Sequence, residues 1–189
     1  MARKSKPENK DVMVAPERYE KLDPLRVLSL LPMLPYQQIA DVGCGPGFFT
    51  VPLGKYEFDG RVYALDVQQE MLDAAKKAVD DIHLTNVEFK LTKEDKIPLE
   101  DESLDGVFMA FVVHEAESAT GMLEEAERSL RKGGWLALLE WHKRETEAGP
   151  PVEKRIDESD MGEMAQKAGF HLQVNHNLND TQYMLVMRK

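Results

Sequence analysis

Apolar positions along this chain alternate between two spacings. Short apolar runs bounded by Gly, Pro or Asp read as buried strands, and longer stretches with apolar residues three and four apart read as helices. Asp23-Pro24 opens the first helix, since Asp caps well and proline loses nothing at the first helical position. Leu25, Val27, Leu28 and Leu31 give it an apolar face, and Pro32 and Pro35 end it. Gln38 to Val42 follows as a strand. Phe48 to Tyr56 reads as a helix, weakened by Pro52 and Gly54. Arg61 to Leu65 is a second strand, and Gln68 to Asp81 an amphipathic helix with Met71, Leu72, Ala75, Ala78 and Val79 on one face. Val87 to Leu91 is a third strand. Leu104 to Val112 is a fourth, almost continuously apolar, as a parallel strand covered on both faces should be. Ser118 to Arg131 is a helix stopped by Gly133-Gly134. Trp135 to Trp141 is a fifth strand, and Asp157 to Ala168 a last helix closed by Gly169. Phe170 to Val174 and Tyr183 to Met187 form a terminal hairpin.

Strands alternating with helices predict an α/β layered fold with a largely parallel sheet. The hairpin adds an antiparallel strand at or near an edge. Residues 92–103 are too short and too charged for a full crossover helix. At 189 residues, 42% hydrophobic, the chain suits one core rather than two. The polar opening predicts a flexible tail over residues 1–20 and a single domain over 21–189. A formal net charge of −10 argues against nucleic acid as a partner. Cys44 is the only cysteine, which excludes an intramolecular disulfide. No apolar signal region opens the chain, and Val27 to Leu34 falls well short of a membrane span. The expectation is a cytoplasmic protein with no membrane partner.

The strongest chemical signal is Asp41-Val42-Gly43-Cys44-Gly45-Pro46-Gly47, set between a strand and a helix. Glycines there permit positive φ and let a ligand approach bare backbone. In an open α/β sheet, ligands bind beyond the C-terminal strand ends at the switch point. The spacing is G-x-G-x-G, not G-x-G-x-x-G, and bulky Phe48 and Phe49 follow it. That suits a ligand without a pyrophosphate better than NAD. Asp66 ends the second strand, about 20 residues on, where a carboxylate accepts hydrogen bonds from ribose hydroxyls.

The stretches DVGCGPGFFT (41–50), VYALDV (62–67), IPLEDESLDGVFMAFVVHE (97–115), LRKGGWLALLEWHK (130–143) and RIDESDMGEMAQKAGF (155–170) resemble the class I S-adenosylmethionine-dependent methyltransferases. The likeness is to their small single-domain, type 11-like members. It implies a Rossmann-like three-layer sandwich around a mostly parallel seven-stranded sheet with a reversed terminal strand. It also implies S-adenosylmethionine as cofactor. Its methionine part would lie on the backbone of Gly43, Cys44, Gly45 and Gly47, with Asp41 fixing the amino group. Asp66 and the adjacent Val67 would hold the ribose. Members of this type often read Gly-Asp-Ala after the third strand, where the Asp contacts adenine. This chain reads Thr92-Lys93-Glu94-Asp95, leaving Glu94 and Asp95 as candidates for that contact.

The ends of strands four and five bring Phe111, His114, Glu115, Trp141 and His142 to the same rim. Methyl transfer needs orientation, apolar walls and a deprotonated acceptor. His114 is the candidate catalytic base and Phe111 a wall beside the cofactor. Residues 18–22, with Tyr19, and residues 143–156 are candidate covers. The five histidines show no metal-ligand spacing, so no metal is expected. The partner expected is a small-molecule acceptor, with a homo-oligomer left open. An NAD-type oxidoreductase and a non-catalytic cofactor-binding or scaffolding protein are the alternatives.

Overall fold

The computed structural model describes residue 8 and residues 10–189. A 3₁₀ turn over Val12–Val14 leads into α1 (Pro16–Lys21) and α2 (Pro24–Ser29). The tail boundary expected at residue 20 therefore falls inside α1; residues 1–7 and 9 lie outside the described residues. Asp23 caps α2 by accepting a hydrogen bond from the Leu25 N–H at 2.9 Å, with Pro24 at the first helical position.

From there strand and helix alternate: β1 (Gln38–Val42), α3 (Thr50–Tyr56), β2 (Arg61–Asp66), α4 (Gln69–Asp80) and β3 (Val87–Leu91). After a helix-free connection come β4 (Leu104–Ala110), α5 (Ala119–Ser129), β5 (Leu130–Trp141), α6 (Glu158–Lys167), β6 (His171–Asn177) and β7 (Gln182–Arg188). In place of a crossover helix, Arg128 donates to the carbonyls of Ile97 and Leu99, and Glu125 accepts from the Ile97 N–H. The tether is thus a pair of α5 side chains on the linker's backbone, and the linker's Lys96 and Asp101 pair with the same two residues.

The sheet has seven strands in the order β3-β2-β1-β4-β5-β7-β6. Pairs from β3 to β5 are parallel, and β7 runs antiparallel to both β5 and β6. Mixed topology with a reversed last strand is the architecture the sequence predicted. Consecutive residues of the central strands point to opposite layers. Val107, Met109, Leu136 and Leu138 pack with α5 and α6, while Phe108, Ala137 and Leu139 pack with α2 and α3. Burial on both faces explains why these strands read as continuous apolar runs.

Among the boundaries that differ from the sequence reading, three have a local cause at the loops around the site or in the central sheet. β5 begins at Leu130, so Gly133-Gly134 lies within the strand instead of stopping the helix. The register jumps from Leu104–Leu130 to Gly106–Trp135, which puts the glycine pair in a bulge. α3 begins at Thr50, because Phe48 and Phe49 complete the turn after the glycines. β4 ends at Ala110, since Phe111 leaves the strand with φ +60°. The order of strands reverses between β1 and β4, and the glycine loop leaves the C-terminal end of β1 at that switch point.

Candidate functional site

The loop between β1 and α3 is tied to the neighbouring strand. The N–H groups of Gly43 and Cys44 both donate to the Leu65 carbonyl, at 2.8 and 3.0 Å. Gly43, Gly45 and Gly47 have φ of +71°, +53° and +95°, which other residues rarely adopt. A Cβ at Gly43 would come within 2.6 Å of a Val112 methyl, and one at Gly47 within 3.2 Å of the Ala75 Cα. The loop is therefore a bare-backbone surface pressed between the end of β4 and α4. Cys44 is buried, and burial raises its thiol pKa, so it fills space and is no nucleophile.

Two carboxylates flank the loop. Asp41 is 2% exposed and accepts a 2.6 Å hydrogen bond from the Thr50 hydroxyl. Burial pushes its pKa up to about 7 against that bond, and the charge of Asp66 adds to the rise. Asp66 is buried too. One of its oxygens accepts from the Gly45 N–H and the other from the Gln68 N–H, both at 2.9 Å. Burial raises its pKa, opposed by the N–H groups of Gln68, Gly45 and Val67. Val67 thus belongs to the cradle around Asp66. Glu94 and Asp95 follow β3. Glu94 accepts from the Glu117 N–H at 3.1 Å, and Asp95 is exposed near Gly121. Lys93 is exposed.

On the other side of the switch point, the Phe111 N–H donates to the Leu139 carbonyl, and its ring lies 5.3 Å from that of Trp141. The next residues form a 3₁₀ turn, Val113–Glu115, which carries His114. Its Nδ1 lies 2.7 Å from Glu140 Oε2, its backbone N–H donates to Glu140 Oε1 at 3.3 Å, and both side chains are almost fully buried. Burial pulls the His114 pKa down. The hydrogen bond and charge of Glu140, with the charge of Glu115, more than reverse this, so the net shift is upward. Glu115 Oε1 lies 4.0 Å from the His114 Nε2. His142 turns elsewhere: Nδ1 pairs with Glu158 at 2.6 Å and Nε2 meets Asn177 at 3.2 Å.

Sequence reading missed four residues. Thr50 orients Asp41. Glu140 orients His114, and its signal was a single carboxylate inside an otherwise apolar strand. Arg155 holds residues 142–155 together through the carbonyls of His142, Arg144, Ala148 and Pro150, with its guanidinium 5.5 Å from the Trp141 ring. Arg18, on α1, stacks on the wall of the site, next to the Tyr19 that was expected there; the Tyr19 ring lies 4.6 Å from Phe48. Among the described residues there is no group of three or more metal-ligating side chains, and no helix long and apolar enough to cross a membrane. An open groove of about 730 Å³ lies between α6 and β6 at the far edge of the sheet; it is lined by Glu158, the partner of His142, and by none of the glycine-loop residues, Asp41, Asp66 or His114.

The chain matches the family model described as a methyltransferase domain over residues 40–138. It is 33% identical to a structure described as a SAM dependent methyltransferase from Aquifex aeolicus. That match covers 98% of this chain and 99% of the other, with a TM-score of 0.93. Among curated proteins, it is 30% identical to a demethylmenaquinone methyltransferase of Bacillus mycoides over 114 residues, 60% of this chain and 48% of that protein. It is 33% identical to an arsenite methyltransferase of Halobacterium salinarum over 108 residues, 56% of this chain and 27% of that protein. The chain spans less than half the length of these curated relatives. At 18% identity the fold alone is shared with the [4+2]-cyclase SpnF, with a TM-score of 0.78.

Proposed function

This chain belongs to the methyltransferase domain family, and we propose that, as an S-adenosylmethionine-dependent enzyme of that family, it methylates a small-molecule acceptor at the rim between Phe111 and His114. The observation that carries this reading is the pairing of a bare glycine loop with two buried carboxylates, Asp41 and Asp66, the charge of Asp66 adding to the rise in the Asp41 pKa. Such a site repels a pyrophosphate and suits a ligand bearing an ammonium and a sulfonium, which argues against the NAD-type alternative. Bound there, S-adenosylmethionine supplies a methyl group activated by its sulfonium. Asp66 accepts from the ribose hydroxyls. Gly43, Cys44, Gly45 and Gly47 offer backbone to the methionine part, with Asp41 near its ammonium. Glu94 or Asp95 takes the adenine edge. Phe111 walls the cofactor, with the Trp141 ring packed against it toward the acceptor.

His114 acts as the base. Glu140 holds a proton on Nδ1, which leaves the Nε2 lone pair to take a proton from the acceptor. Residues 18–22 and 143–156 serve as covers on the acceptor side, and the relatives named for demethylmenaquinone and arsenite methylation support a small acceptor. A buried thiol and a strongly acidic surface suit a reducing, cytoplasmic setting.

Calorimetry with S-adenosylhomocysteine tests the cofactor placement. Asp66→Ala removes a charge-assisted pair of acceptors and is expected to weaken binding by roughly 2–3 kcal/mol. An unchanged dissociation constant would remove Asp66 from the site. Binding is also expected to depend on pH through Asp41. Its carboxyl is neutral below about 7 and must ionise to meet an ammonium. Affinity should therefore rise with pH up to about 7 and then level off, with about one proton released per ligand bound below that point. Asp41→Asn should flatten the slope. A wild-type affinity independent of pH between 5 and 8 would contradict the assignment.

A further inference from the structure

Helix α1 brings a guanidinium onto the aromatic wall of the glycine loop. Arg18 Cζ lies 4.2 Å from the ring centre of Phe48 and 5.6 Å from that of Phe111. Phe48 directly follows the glycines and Phe111 directly follows β4, so Arg18 spans the two sides of the switch point. The same segment touches the loop again, because the terminal methyl of Met13 lies 3.3 Å from where a Cβ on Gly45 would stand. The side chain is held in place by its Nη1, which donates to the Met13 carbonyl at 2.6 Å.

That bond uses one of five donors. Among the described residues no carboxylate pairs with Arg18, although in the same site the charge of Glu115 acts on Asp66 and that of Asp66 on Asp41. Burial lowers its pKa to about 10, so it stays charged at neutral pH at a desolvation cost that two aromatic faces offset only in part. A charge kept in such a place is stabilised by an anion. The planar fork of arginine fits a carboxylate.

We propose that Arg18 is a carboxylate-binding residue of this site, receiving between Phe48 and Phe111 the carboxylate of a ligand that lies on the glycine loop. The carboxylate has two possible sources, the methionyl end of the cofactor or an acidic acceptor. In either case α1 is a strap that completes the site, and the proposal rests on the reading that places the cofactor on the loop.

The experiment uses three probes on the whole chain: S-adenosylhomocysteine, its decarboxylated analogue, and benzoate added to protein saturated with S-adenosylhomocysteine. If the cofactor is the source, Arg18→Met weakens S-adenosylhomocysteine about 10- to 100-fold and leaves the decarboxylated analogue within about threefold. Arg18→Lys recovers part of that loss, since it restores charge without the fork. If the acceptor is the source, S-adenosylhomocysteine binds both proteins alike. Saturation-transfer NMR then shows benzoate on the loaded wild type and none on Arg18→Met. Equal losses for S-adenosylhomocysteine and its decarboxylated analogue overturn the proposal, since they report only packing of the strap. So does the absence of any difference across the three probes. Asp66→Ala is measured alongside: a loss there with none at Arg18 sinks this inference alone, and a wild type that binds no S-adenosylhomocysteine sinks the cofactor placement as well. Methionine keeps the stem on Phe48, and an unchanged melting temperature confirms the fold.

Discussion

Gly106→Ala is expected to destabilise the protein by about 3 kcal/mol or more, an effect at the upper end for one added methyl. Gly106 lies within β4, the strand between β1 and β5. A Cβ there would stand 2.2 Å from two ring carbons of Trp135. Trp135 is fully buried and its indole N–H donates to the Gln37 side chain at 3.3 Å, so the ring cannot withdraw without leaving a cavity and a broken hydrogen bond. Two other glycines serve as controls. Gly133→Ala meets nothing within 4 Å but sits at φ +78°, so only the backbone strain remains, about 1–2 kcal/mol. Gly162, inside α6, also has open space and an ordinary helical backbone, so alanine there should stabilise by roughly 0.5–1 kcal/mol. Urea unfolding ranks the three. A Gly106→Ala midpoint close to wild type would mean that Trp135 repacks freely.

Gly106 also marks what the sequence could convey. Wherever burial on two faces produced an unbroken apolar run, the strand was legible, as in Leu104 to Val112 and Trp135 to Trp141. Wherever one helical face was buried, as in α4, the spacing of Met71, Leu72, Ala75 and Val79 was legible too. Boundaries failed where tertiary pairing overrode a local signal. Gly133-Gly134 is good helix-stop chemistry, yet it sits in β5 because the bulge opposite Asp105 lets the strand start five residues early. The glycine loop and Asp66 were readable because the constraint is local: positive φ needs glycine, and a strand end needs only its own register.

The partners of those residues were not readable in the same way. Thr50 reaches Asp41 across the loop, Glu140 reaches His114 across 26 positions, and Arg155 gathers carbonyls from its own loop. Each is a contact made by folding, and no spacing along the chain announces it. Arg18 is the clearest case. The sequence put it both in a polar tail over residues 1–20 and at the start of a candidate cover over residues 18–22, with Tyr19 as the residue expected to reach the site. Only the packing of α1 on Phe48 turns it into a half-buried cation at the mouth of the site.

His114→Gln is expected to lower kcat by about 100- to 10,000-fold with any acceptor the wild type methylates, while cofactor affinity changes little. Glutamine is the informative replacement because its amide still donates to Glu140. Alanine would strand a carboxylate that is 1% exposed, and instability of about 3–5 kcal/mol would obscure the kinetics. The companion variant is Glu140→Gln, which keeps the shape and removes the charge. With that charge gone, burial dominates and the His114 pKa should fall. The acidic limb of the rate profile then moves to lower pH, and the plateau drops because the base is weaker. Stability follows the same linkage. Since the folded pKa of His114 is raised, its contribution is fully present below the unfolded value of about 6.5 and is lost as pH rises through the folded value. Glu140→Gln should therefore be most destabilising on the acidic side of that window, with the gap to wild type narrowing above it. NMR titration of the His114 Cε1–H reads the pairing without any acceptor: a pKa above about 6.5 in wild type and a lower one in Glu140→Gln. Equal titration midpoints in the two proteins would leave Glu140 with no role in setting the base, whatever the rates do.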